Sequence, residues 1–162
     1  MPSRALQATA PTLTALGLAP GAAHLMELPV KLGYSPAMYA DVTSTLYAWF
    51  GLAGGTVQVV ATLSVAILAF RSRELPHSGL AWASAAALLA SLLLWALVVA
   101  PVNSAWADSV GSGPEEFAAA YARMRSRWEY GHVAAFIAWL TGWFGLVAAL
   151  TRRDVESTNG VA

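Results

Sequence analysis

The chain is expected to fold as an all-α integral membrane bundle of four helices, and three observations lead there. Of its 162 residues, 57% are hydrophobic and only 11% are charged, whereas a soluble domain carries about a quarter charged residues. Four apolar stretches are long enough to cross ~30 Å of hydrocarbon at ~1.5 Å per residue. The few ionisable residues inside those stretches gather at matching depths near two of their ends. Net charge is zero, so no basic surface argues for nucleic acid. The absence of cysteine excludes disulfides, thiolate metal sites, iron–sulfur clusters and covalent haem attachment.

The first segment, about 13–30, is the most polar. It holds Pro20-Gly21, His24, Glu27 and Pro29. Its lead-in faintly imitates a secretory signal, but Gln7 and several threonines favour a membrane helix. The second, about 46–70, and the third, about 79–100, carry no charge, and Pro101 is expected to close the third. The fourth, about 131–150, stops at Arg152-Arg153. Before it, Pro114 with Glu115-Glu116 marks a helix start. Phe117, Tyr121, Met124 and Trp128 then follow at helical spacing. This predicts an amphipathic interfacial helix over about 114–130 that leads into the fourth span across the bundle mouth. The whole chain, 1–162, reads as one domain. Arg4, Arg71, Arg73, Arg152 and Arg153 fall on one side of the membrane, and Lys31, Arg123, Arg125 and Arg127 on the other. The first set sits tightly against helix ends and the second is mixed with acids, so both termini are expected in the cytoplasm. His77, between Arg73 and the third segment, reads as a surface residue.

The functional expectation rests on two mirrored pairs, His24-Leu-Met-Glu27 and Glu129-Tyr-Gly-His132. An ionisable residue within a membrane is costly and marks a site by default. The first helix runs away from the cytoplasm and the fourth returns. Antiparallel packing therefore sets the two histidines level and the two carboxylates level above them. Tyr47, Asn103 and Trp106 come to the same end. Gly17 with Gly21, and Gly51 with Gly55, are each four apart, a spacing that lets membrane helices approach closely and could support a homo-oligomer.

Two imidazoles with one or two carboxylates match the ligands of a single non-haem iron, copper or zinc ion, held by His24, His132, Glu27 and Glu129. Two level histidines could instead clamp a b-type haem, although the glutamates then have no task. A third chemistry needs no cofactor: Glu129 or His132 acts as base on an acidic lipophilic substrate, with Glu27 beside them and Asn103 as donor to a developing oxyanion. Tyr47, Trp106, Tyr121 and Trp128 would stack on an aromatic ring. The plain alternative is that each pair, with Lys31 beside Glu27, neutralises itself. The chain would then be a non-catalytic membrane protein that binds a lipid, a haem or a partner. Trp82, Trp106 and Trp128 also suit interfacial anchors, and Trp139 and Trp143 helix packing.

The segments His24–Leu32, Pro101-Val-Asn103 and Arg127–His132 resemble a bacterial family of small four-helix membrane proteins, grouped distantly with anthrone oxygenases. The likeness extends over about residues 13–150. Pro101, Asn103, Trp128 and His132 match the oxygenase pattern, and Ala135 stands where that pattern has an arginine. The resemblance implies a bacterial inner-membrane protein, a monooxygenase acting on a phenolic, anthrone- or quinol-like molecule.

Overall fold

The computed structural model describes residues 2–47, 49–76 and 78–159; His77 lies outside the described residues. Among these every regular element is helical. The chain opens with α1 (Arg4–Leu16) and α2 (Leu18–Lys31), which meet at Gly17. Ser3 caps α1 by accepting from the Leu6 amide at 3.3 Å. Pro20 lacks the N–H that would bond back into the preceding turn, and the helix breaks one turn upstream. At the break the Gln58 amide donates to the Gly17 carbonyl at 2.9 Å. Of the predicted first span, then, neither half alone is a membrane-length helix.

Helix α3 (Pro36–Thr45) follows, an element not expected from the sequence. Its signals are local: Ser35 accepts from the Met38 amide and Pro36 takes the first turn, a favourable N-cap and a favourable proline position. A π-helical turn at Phe50–Gly54 leads into α4 (Gly55–Arg71). Helix α5 (Ser78–Leu94) passes through a second π segment, Trp95–Val99, into α6 (Ala100–Asp108). Pro101 thus does not end the third segment. The π segment absorbs the proline, which cannot donate to the carbonyl of Leu97, and Arg127 approaches that carbonyl at 3.4 Å instead. Helix α7 (Pro114–Asn159) is continuous for 46 residues, so the expected interfacial helix and fourth span are one rod.

Among the described residues three helices are long and apolar enough to cross a membrane: Phe50–Arg71, Ser78–Asp108 and Pro114–Arg152. Only 28%, 28% and 22% of their most apolar windows is buried, so most of that hydrophobic surface faces outward.

Helix α7 is the spine, with α5 along one side and α2, α3 and α6 around its first half. Two large cores lie along it, and a small third of Ala69, Ala81 and Ala149 lies toward its far end. One is made of small and aliphatic residues around Trp139, including Ala10, Val65, Leu88 and Leu146. Here Gly142 fits against Leu88 and Gly145 against Ser84. The other is aromatic, with Tyr39, Tyr47, Trp106, Tyr121 and Trp128. Between them Gly17 and Gly21 lie so close to α7 that a Cβ would stand 2.5 Å from the Trp139 ring and 2.6 Å from Phe136. The Gly17/Gly21 face is therefore filled from within the chain and not free for a second copy. Gly51 and Gly55 have no neighbour within 4 Å of such a Cβ.

Candidate functional site: a buried lysine beside a histidine-floored cleft

Helices α2 and α7 run side by side at the aromatic end, and their polar residues meet. The rings of His24 and His132 stack with centroids 4.2 Å apart and planes 27° from parallel. Tyr47 stacks on the other face of His24 at 4.8 Å, and Trp128 presents an edge to it at 4.9 Å.

At the centre stands Lys31, which was expected to be a loop charge. It is 1% exposed, carried inward because it lies one turn beyond Glu27 and two beyond His24 on one helix face. Its ammonium is 2.9 Å from Glu129 Oε2, 3.9 Å from Glu27 Oε2 and 3.1 Å from His24 Nδ1. It also sits over the rings of Tyr47 and Trp128 at 4.7 and 5.4 Å. Glu129 is fully buried. Its Oε2 is left to the Lys31 ammonium, and its Oε1 accepts from the Tyr39 hydroxyl at 3.0 Å. Burial first, and the Glu129 carboxylate second, hold the Tyr39 hydroxyl well above the ordinary tyrosine pKa. The Arg125 guanidinium covers the Tyr39 ring at 4.3 Å and donates to the carbonyls of Leu32 and Tyr34, which pins the α2–α3 loop to α7. Glu27 differs from Glu129. Its side chain is 41% exposed, and it accepts from the Tyr47 hydroxyl.

These bonds fix the histidine tautomers. An ammonium can only donate, so His24 Nδ1 accepts and its ring proton is on Nε2. A carbonyl can only accept, so His132 Nδ1, 2.9 Å from the Trp128 carbonyl, donates; in the neutral ring its Nε2 is an acceptor. The stacked pair thus offers one donor and one acceptor.

Both histidines line a cleft of about 830 Å³, within the range of small-molecule sites. It lies between the α3–α4 segment and α5–α6, with α2 and α7 as its floor. Tyr47, Trp106, Tyr121 and Trp128, all expected around an aromatic ligand, lie in its wall, with Asn103. Asn103 Oδ1 accepts from Trp128 Nε1 at 2.8 Å, which leaves its amide N–H groups for a ligand. Trp106 and Trp128 are buried, 3% and 4% exposed, rather than interfacial anchors; Trp106 Nε1 donates to the Ala120 carbonyl and its ring stacks on Tyr121 at 4.2 Å.

Glu27 and Glu129 are not part of the cleft wall. The expected metal set of His24, His132, Glu27 and Glu129 is also not assembled. Among the described residues no three His, Asp or Glu side chains converge on a point. Lys31 fills the space between the carboxylates, and with the His24 Nδ1 lone pair taken by Lys31 and the proton on Nε2, His132 Nε2 is the one imidazole nitrogen of the pair left as a ligand. Neither a metal ion nor an iron clamped between two stacked rings fits this donor set. Tyr39 is the residue that sequence reasoning missed; Lys31 was expected beside Glu27, where it lies, but not buried and paired with Glu129.

Comparison with protein-family models, curated proteins and solved structures finds no match to this chain.

Proposed function

We propose that the chain is a four-span membrane protein whose cleft binds a lipophilic hydroxyaromatic molecule of the phenol, anthrone or quinol class and oxidises it with dioxygen. The first span would be the broken α1–α2 rod, beside the three long apolar helices. The observation that carries the reading is the stacked His24–His132 pair, with opposite hydrogen-bonding roles, in the wall of an aromatic cleft.

On an anthrone the balance is simple. The acidic ring carbon gives a proton to His132 Nε2, and its electron pair attacks dioxygen to form a C–O bond. His132 hands that proton to the peroxide and takes the second ring proton as the O–O bond breaks; the carbon becomes a carbonyl, and the expelled hydroxide takes the proton back from His132 and leaves as water. His24 Nε2–H and the Asn103 amide are the donors for the enolate oxygen, a role that removes charge-development cost in a water-poor site. Glu129 is not the base. It is fully buried and committed to Lys31 and Tyr39, and it serves to hold the lysine that sets the His24 tautomer. The base is His132, whose proton-transfer role is worth about 10²–10⁴ in rate.

The test is oxygen uptake and carbonyl product from an anthrone, with purified protein in detergent. His132→Gln should lose at least about a hundredfold with an unchanged melting temperature. Full turnover in that variant, or no uptake by the wild type, overturns the reading.

A further inference from the structure

The cleft is not uniform along its length, and the difference says more about its ligand. At the His24–His132 end its polar groups are unspent. The hydroxyl of Thr43, a residue only 6% exposed, has the Tyr39 hydroxyl near it but no partner at full hydrogen-bonding geometry, and Asn103 on the same cleft wall is engaged through its Oδ1 and not its amide N–H groups. Toward Val59 and Val60 the side-chain donors are turned to backbone carbonyls. Thr56 donates to the Leu52 carbonyl, Gln58 to that of Gly17 and Ser91 to that of Ala135. A ligand lying there meets mostly apolar surface, from Leu52, Val59, Val60 and Leu92.

That stretch is long and open to the side. Gly51 to Val60 covers roughly 13 Å at about 1.5 Å per residue. Leu52, Val59 and Val60 belong to the cleft wall yet are 65%, 47% and 46% exposed on the outer face. Gly51 and Gly55, one turn apart on the same wall, leave the space that side chains would fill. A compact ring would occupy the polar end and leave this trough unused.

We propose that the ligand is a hydroxyaromatic head carrying one unbranched or isoprenoid apolar chain, with the head at His24, His132 and Thr43 and the chain along the Gly51–Gly55 wall. The proposal takes the head's position from the function argued above. It adds the chain and the trough that holds it.

Gly51→Leu and Gly55→Leu test it, because a Cβ at either position meets nothing within 4 Å and the rest of the side chain takes up trough space. Decyl-hydroquinone and methyl-hydroquinone are titrated into wild type and both variants in one detergent. Binding is read from quenching of the tryptophans in the wall, Trp95, Trp106 and Trp128. Comparing variants in the same micelles cancels partitioning of the chain. Either leucine should weaken the decyl probe at least tenfold and leave the methyl probe unchanged. Equal affinity of the decyl probe in all three proteins overturns the proposal, as does parallel loss of both probes in variants that keep the wild-type melting temperature. Oxygen uptake is not read, so a protein that binds the decyl probe as described without turnover keeps the trough and loses the oxidation.

Discussion

Replacing Lys31 by methionine should be the most destabilising single change at the site. The side chains of Lys31 and Glu129 are 2% and 0% exposed and their charged atoms stand 2.9 Å apart. With an effective dielectric constant near 20, the attraction at that distance is about 6 kcal/mol. The desolvation of both charges offsets much of it. What a single replacement measures, however, is the stranded carboxylate, and losing one partner of a buried pair costs about 3–5 kcal/mol. The second pair of Lys31 is a different object. Glu27 is 3.9 Å away and 41% exposed, which puts Glu27→Gln below about 1 kcal/mol in ion-pair terms.

Reversible unfolding in mixed micelles, followed by tryptophan fluorescence, separates these expectations. For a chain of this size the Lys31→Met loss corresponds to roughly 6–20 °C in melting temperature, at about 2–4 °C per kcal/mol. Adding Glu129→Leu should recover most of it, since no buried charge then remains, apart from about 1 kcal/mol for the acceptor that Tyr39 loses. A Lys31→Met protein as stable as Glu27→Gln would refute the reasoning. So would a double variant less stable than Lys31→Met alone.

The glycines of the first and second segments should respond in opposite senses. Gly17→Ala, which places a methyl group 2.5 Å from the Trp139 ring, should cost about 1–3 kcal/mol. Gly55→Ala, with nothing nearby, should gain about 0.5–1 kcal/mol, and the same unfolding measurement reads both. Trp139→Phe removes the 2.8 Å bond from the indole to the buried Thr14 carbonyl and should lose 1–3 kcal/mol, about the cost of a stranded buried acceptor. Tyr39 gives the pH dependence. Its pKa is raised above 10.0 in the fold, so below that pH folded and unfolded chains both hold the proton and stability does not respond. Above it the unfolded chain releases a proton that the folded one retains, and stability falls. Unfolding curves between pH 9 and 11 should therefore drop more steeply for the wild type than for Tyr39→Phe, and equal slopes would count against a buried, protonated Tyr39.

The meeting of His24 with His132 was legible because it needs only helix direction and count. A residue near the end of one helix and a residue near the start of its antiparallel neighbour share a depth. Which way each side chain points was less accessible. Glu129 and His132 are three residues apart, about 60° around a helix of 3.6 residues per turn. That angle sends one to Lys31 and the other to the cleft, a difference that a reading by depth alone does not resolve. Pro101 misled for a related reason: a proline ends a regular α-helix, but a π segment just before it shifts the bonding, and nothing in Trp95–Val99 announces that by composition.

Lys31 shows most clearly what sequence reasoning lacked. As a charge between two apolar segments it counted toward topology, which treats loop cations as solvated. Its spacing of four from Glu27 and seven from His24 was visible, and so was the Ser35-Pro36 start of α3. Without α3, though, there was no reason to bury the lysine. The helix brings Tyr39 to Glu129 and lets Arg125 close the loop over it, and water is excluded from the ion pair. The charge therefore lies inside because a short helix roofs it, and that roof is also what holds the His24 proton on the ring nitrogen left for a ligand. If α3 is the cause, unroofing should expose the lysine before it unfolds the bundle. Chemical modification of Lys31 by an amine reagent should then be slow in the wild type and fast in Tyr39→Ala, at a temperature where both remain folded.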